Sequence, residues 1–271
     1  MRQKFPTRRK PKFLQVRVPV SSRQMLISAI GIWAGFFGIW ILATSLHWVN
    51  PLLVPAPGDV LSATVRLFAS GFGSDVLISM MRVLVSFTLA CLVAIPLGVA
   101  MGAFPAVDAI FAPFVSAWRY LPAPSFIPIL LMWFGTGEAP KLALLFLGVI
   151  FFLITLIADH TKEIRKELIE TALTLGAGRW ATVFGVMLPA VAPNILTAMR
   201  QMLAVVWTYL VIAEIVASTT GIGAMMMRAR RFLHTDEILS GIIVIGVLGL
   251  IFDKAFAILH RRLFPYLQEV R

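Results

Sequence analysis

The chain has 271 residues, 59% of them hydrophobic and 14% charged, with a formal net charge of +11. Soluble domains average about 45–50% apolar and about 25% charged residues, so a mean hydropathy of +0.89 excludes a soluble globular protein and indicates an integral membrane protein. The single cysteine, Cys91, excludes an intramolecular disulfide and a cysteine zinc site, and the histidines at 47, 160, 234 and 260 show no ligand spacing.

Residues 1–23 are polar and basic and hold Pro6, Pro11 and Pro19, the composition of a disordered tail. The charge-free stretch after them supplies a first membrane span over about 25–46, since a bilayer core needs about 20 apolar residues. Its length and the extended basic stretch before it favour an uncleaved anchor over a signal peptide. The run Leu52-Leu53-Val54-Pro55-Ala56-Pro57-Gly58-Asp59-Val60 then reads as an extended segment fixed by its prolines, with Asp59 capping a short helix through about Phe68. Leu61, Val65 and Phe68, at i, i+4 and i+7, give that helix an apolar stripe suited to the outer membrane interface.

A second span is expected over about 77–103 and a third over about 107–134, the latter interrupted by Arg119, Pro122, Pro124 and Pro128. Each proline removes a donor and disfavours helix at the residue before it. Irregular backbone at membrane depth is tolerated only where protein or a water-filled cavity satisfies it. The third segment therefore reads as the lining of a pathway, the alternative being a proline kink buried between helices. A fourth span covers about 140–158, a fifth about 190–217 with Arg200 and Glu214 inside it, and a sixth about 237–259 with Asp253 and Lys254 near its end. The fold class expected is an all-α integral membrane protein of about six transmembrane helices.

Lysine and arginine set the orientation. One side collects Arg2, Lys4, Arg8, Arg9, Lys10, Lys12, Arg17 and Arg23, then Lys162, Arg165, Lys166 and Arg179, then Lys254, Arg261, Arg262 and Arg271. The other holds only Arg66, Lys141, Arg228, Arg230 and Arg231. Both termini are accordingly expected in the cytoplasm. The basic tail needs no nucleic acid to explain it, because orientation and anionic lipid suffice.

The cytoplasmic loop 159–189 is the most informative stretch. Lys162 to Thr174 reads as a helix with Lys166 and Glu170 at i, i+4; Gly176-Ala177-Gly178 breaks it; Arg179 to Leu188 reads as a second helix ending before Pro189. Within it the order Glu170-Thr171-Ala172-Leu173-Thr174-Leu175-Gly176-Ala177, then Phe184, then Leu188-Pro189, resembles the EAA loop of permease subunits of ATP-binding-cassette importers. Thr171 stands where the family pattern has its first alanine; threonine is small, so docking is expected to survive. Ser79-Met80-Met81-Arg82-Val83-Leu84, Pro122-Ala123-Pro124, Trp133 to Glu138, and Thr220-Gly221-Ile222-Gly223 with Phe232, Thr235 and Asp236 are similar to the branch serving nitrate, sulfonates and taurine.

The resemblance covers roughly residues 50–262 and implies a type I importer permease fold. Its core runs over 75–262, after a tail 1–23 and an anchor with its interfacial segment 24–74, and before a tail 263–271. It implies a bacterial inner-membrane subunit, two copies forming a central pathway, a separate ATPase at each EAA loop and a separate substrate-binding protein outside. It also implies a small anion or sulfonate as substrate and no cofactor on this chain, ATP being bound by the partner. No G-x-x-x-x-G-K-[ST] occurs in the sequence, in agreement with hydrolysis elsewhere and with a chain that is not itself an enzyme. By the same resemblance Glu170, Ala172, Gly176, Ala177, Gly178, Arg179 and Pro189 belong to the ATPase-coupling loop.

Intramembrane charges are functional candidates by default. Arg119, Pro122, Pro124 and Glu214 are the candidates for the translocation pathway, Arg119 as a countercharge for an anion. Glu214 has Arg119 or Arg82 as its possible partner, and Arg200 reads as structural. Met225, Met226 and Met227 read as packing for a short helix and not as a metal site. The alternative to an importer subunit is a secondary transporter or channel of six spans, which has no use for the EAA order.

Overall fold

The computed structural model describes residues 21–267, and the chain divides into two units, 1–59 and 60–271. The expected tail 1–23 lies almost wholly outside the described residues.

In the first unit, α1 (Ser22–Ser45) begins at a capping box. Ser21 accepts the Gln24 backbone N–H, and the Gln24 side chain reaches back to the Ser21 backbone. The helix is apolar on all sides, as a lipid-facing span requires. Its aromatic face is continuous, with Trp33, Phe37 and Trp40 stacked at about 6.1 Å. Trp40 Nε1 donates to the Pro55 carbonyl at 3.0 Å, which folds the proline segment back on the helix end. The next helix, α2 (Pro57–Ala69), starts two residues before the Asp59 cap expected from sequence. Pro57 needs no donor at a first helical position, so Asp59 falls in the first turn and accepts from Ala56 N at 3.3 Å.

The second unit is a bundle built on α3 (Phe72–Ala103), α6 (Ala139–Lys162) and α9 (Leu188–Ala217). Small residues let the backbones approach, as membrane helices require without a water-driven force between them. A Cβ on Gly102 would stand 2.3 Å from Thr161 Cβ, and one on Gly148 would stand 2.4 Å from the Tyr209 ring. Around these contacts Val83, Ala90, Leu145, Val149, Leu153, Ile157, Val206 and Leu210 are fully buried. Between α3 and α6 the third span is broken as its prolines predict. It runs as α4 (Pro105–Arg119), a 3₁₀ turn Ala123–Phe126 and α5 (Ile127–Phe134).

After α6 come α7 (Lys166–Thr174) and α8 (Arg179–Thr182), then a π-helical turn Val183–Met187 leading into α9. The helix expected to end before Pro189 does not end there. Residues Arg179–Ala217 form one 39-residue helical rod, because the widened turn, with Leu188 N bonded to the Val183 carbonyl, absorbs the donor that Pro189 lacks. The short α10 (Ile222–Arg231) buries Met225 and Met226, and α11 (Thr235–Leu263) completes the unit. Among the described residues five helices are long and apolar enough to cross a membrane, and the expected third span, broken into α4 and α5, is not one of them.

Candidate docking loop, broken span and buried charge cluster

The loop at one end of the bundle is closed by a Schellman motif. Gly176 N bonds to the Leu173 carbonyl and Ala177 N to the Ala172 carbonyl, each at 3.0 Å, while Gly176 takes φ +86. A Cβ at Gly176 would meet nothing within 4 Å, so the requirement for glycine is conformational and not steric. Nothing on α7 is buried, and Leu173, Leu175, Trp180 and Phe184 stand exposed around the turn. Trp180 stacks on Phe184 at 5.9 Å.

Glu170, Gly178 and Arg179 are exposed, and Ala172 and Ala177 half-buried. The ion pair that the i, i+4 spacing predicts between Lys166 and Glu170 does not form among the described residues. Glu170 therefore keeps its carboxylate free for an outside donor. Thr171 Oγ1 donates to the Glu167 carbonyl at 2.6 Å, so the hydroxyl that departs from the family pattern is satisfied within its own helix.

In the broken span Arg119 is the last residue of α4, half-buried, with its guanidinium 5.7 Å from the Tyr120 ring centroid. No carboxylate pairs with it among the described residues. Pro122 precedes the 3₁₀ turn in extended backbone, and Pro124 sits in its first turn. Tyr120, Leu121, Met132 and Trp133 are exposed on either side.

The opposite end of the bundle holds a polar cluster that is almost fully bonded. Glu214, wholly buried on α9, accepts from Ser79 Oγ at 2.7 Å, Arg82 Nη1 at 2.6 Å and the Gly223 backbone N at 2.8 Å. Arg82 also forks onto Glu138 at 2.6 and 2.7 Å and reaches the Thr220 carbonyl and hydroxyl. Lys141 adds a third bond to Glu138. Asp75 accepts from Gly221 N at 2.6 Å and from Arg228 at 2.8 Å, and Ser79 accepts from Ile222 N at 2.9 Å. Carboxylates at the N-terminus of α10 suit its exposed donors and positive dipole end. Gly221 has φ +105, and a Cβ there would stand 2.3 Å from Glu214 Oε1. Hydrogen bonding to Arg82 holds the Glu138 carboxyl down to about 2, with Lys141 adding to the effect.

The sequence pattern of the family described as binding-protein-dependent transport system inner membrane component is matched by residues 94–265. The chain belongs to this family. It is 34% identical over 264 residues to the taurine transport system permease protein TauC of Escherichia coli K12, covering 95% of each chain. It is 29% identical to the putative aliphatic sulfonates transport permease protein SsuC of Bacillus subtilis, covering 86% of this chain and 85% of that one. The fold is that of the inward-facing methionine transporter MetNI, at a TM-score of 0.55 and 20% identity over 71% of this chain and 97% of that chain.

Within this permease the sequence-predicted residues separate into two groups. The loop residues Glu170, Ala172, Gly176, Ala177, Gly178 and Arg179 come together at one turn, whereas Pro189 lies past the π turn at the start of α9. Glu214 pairs with Arg82 and not with Arg119, and Arg200 pairs with Asp253 through two bonds at 2.5 and 2.6 Å. Sequence reasoning left Asp75, Ser79, Glu138 and the Thr220–Gly223 turn without roles. One signal was present: Asp75, Ser79 and Arg82 recur at i, i+4 and i+7 in an otherwise apolar run, which places them on one face of α3. Among the described residues no cluster of potential metal ligands occurs.

Proposed function

We propose that two copies of this permease form the pathway of an importer for a small anion or sulfonate, in the class of nitrate, taurine, alkanesulfonates or bicarbonate. A separate ATPase docks at the Glu170–Gly178 turn of each copy, and a separate binding protein delivers substrate at the opposite face. The observation that carries this reading is the docking turn itself: a glycine-closed helix end with a free carboxylate, ringed by exposed Leu173, Leu175, Trp180 and Phe184. The relatives' names support the substrate class, and the basic residues of the tail and loop support a cytoplasmic position for both termini and for the docking turn.

The mechanism follows from the continuity of the rod. Residues Arg179–Ala217 are helical throughout, a length of about 58 Å at 1.5 Å per residue. Displacement of the turn by a closing ATPase dimer is carried along α9 to Glu214 and the Thr220–Gly223 turn at the far end. A partner shifts such an equilibrium only through contacts that differ between the two states, and the exposed loop is where those contacts are available. In the pathway, Arg119 is the countercharge and the broken Pro122–Pro124 backbone supplies polar groups at depth.

Affinity purification of the tagged permease in mild detergent, with partners co-expressed, tests the reading directly. A co-purifying ATPase in equal amount to the permease is expected. Purification of the permease alone brings the secondary transporter forward. Replacement of Arg119 by Gln is expected to lower uptake of an anion well below that of a neutral solute, and unaltered anion uptake would give Arg119 a structural role.

A further inference from the structure

Among the described residues two ion pairs join α9 to its neighbours, and they differ in exposure. The Arg82–Glu214 pair is buried, whereas the side chains of Arg200 and Asp253 are 42% and 47% exposed. Arg200 and Asp253 nevertheless lie inside helices long and apolar enough to cross a membrane, each about 15 Å or more from either helix end. Charges at such depth face a bundle interior or a water-filled cavity and not lipid. The pair opens into a cavity of about 690 Å³ between α9 and α11, inside the range of about 300–1,000 Å³ that small-molecule sites occupy. Leu203, Trp207, Ile242 and Ile245 make its walls largely apolar.

The pair is saturated on one side only. Arg200 Nε and Nη2 donate to the two Asp253 oxygens, which leaves Nη1 without an acceptor among the described residues and each carboxylate oxygen with a second acceptor position. A pair joined in this way carries no net charge, so a simple anion drawn to Nη1 is repelled by the carboxylate beside it. A zwitterion meets no such conflict. Laid antiparallel to the pair, its oxyanion accepts from Nη1 while its ammonium donates to the outer lone pairs of Asp253.

We infer that the Arg200–Asp253 pair is a binding site for a small zwitterion, with an ammonium at one end and an oxyanion such as sulfonate at the other. As a transport site it rests on the importer reading above, and it narrows the anion or sulfonate class of that reading to molecules that carry both charges. The ion pair supplies selectivity by its dipole, and the apolar walls exclude competing polar groups.

The test uses the full chain carrying Cys91→Ala and Ala204→Cys in phospholipid nanodiscs, which leave both faces open to water. Position 204 is exposed in the cavity one turn from Arg200. The reaction of its thiol with a water-soluble methanethiosulfonate is timed in 2-aminoethanesulfonate and in 2-hydroxyethanesulfonate, which differ only in ammonium against hydroxyl. The thiol is expected to react without ligand, and the amino compound to protect it at a concentration about tenfold lower than the hydroxy compound. Asp253→Asn should reverse the preference, because it frees Arg200 for a simple anion, and Arg200→Gln should end protection by both. If Ala204→Cys does not fold, Gly249→Cys reports from the α11 wall of the same cavity. Equal protection by the two compounds overturns the inference, as do no protection by either and a preference that survives Asp253→Asn. A thiol unreactive throughout would assign the wall to lipid, and a disulfide between two chains would assign it to the second copy; either overturns the inference. No ATPase or binding protein enters this assay, so selective protection in a chain that co-purifies no ATPase would strike the importer reading alone.

Discussion

The two ends of the second unit solve opposite problems. At one end Glu214, Arg82, Ser79 and Asp75 leave little polar capacity unused, and their bonds tie α3, α6, α9 and α10 together. At the other end α7 buries nothing, and among the described residues the Glu170 carboxylate has no partner, while Leu173 and Leu175 stand exposed beside the Trp180–Phe184 stack. Charge that is buried and saturated holds a fold together; under the proposed function, the apolar surface exposed around Glu170 is where the ATPase docks. A charged residue in a membrane chain therefore gains meaning only once its partners are known. The two roles predict different failures on mutation.

The largest expected loss is at the saturated end. Glu214→Ala removes the buried acceptor of Ser79 Oγ, Arg82 Nη1 and the Gly223 amide, leaving Arg82 held by Glu138 and Thr220, and should lower stability by about 3–5 kcal/mol in detergent unfolding. Adding Arg82→Met should recover part of the loss, and strict additivity of the two would break the assignment. Gly176→Val comes next, with a local cost of about 1–2 kcal/mol for an L residue at φ +86. Its main readout is loss of ATPase co-purification with membrane insertion intact, and Gly176→Asn should retain more. A third test is a titration. Because the Glu138 carboxyl is held down to about 2 in the fold, below the ordinary 4.5, its contribution is complete above about pH 4.5. The contribution falls away as pH drops from there toward 2. An unfolding midpoint followed from pH 7 to 3 should show this acid limb, and Glu138→Gln should flatten it. Thr171→Ala is the smallest, within about 0.5 kcal/mol and without effect on docking, since the lost hydroxyl bonds only its own helix.

Much of the fold was legible in the sequence because charge-free apolar runs leave few choices in a bilayer. The errors lie where side chains act across space. The second span begins at Phe72 and not near 77, because helix continues past the apolar run to bring Asp75 under the Gly221 amide. Pro189 reads as a stop, yet the π turn just before it absorbs its missing donor. The backbone of the Glu170–Gly178 turn was legible in part: Gly176 stops the helix where expected, but that helix starts at Lys166 and not at Lys162, which ends α6. The pairing of Glu214 was open between two arginines because it depends on the packing of α3 against α9, which no local pattern encodes.

The wide turn at Val183–Met187 has a further effect on the phase of the helix. An extra residue in one turn rotates everything after it by about 100° relative to a regular α-helix. The azimuth of Trp180 and Phe184 is thus set against that of Leu203 and Glu214 by one inserted residue, with no side chain involved. Shortening this turn by one residue would leave the span and the loop chemistry intact while turning exposed Trp180 and Phe184 out of step with buried Leu203 and Glu214.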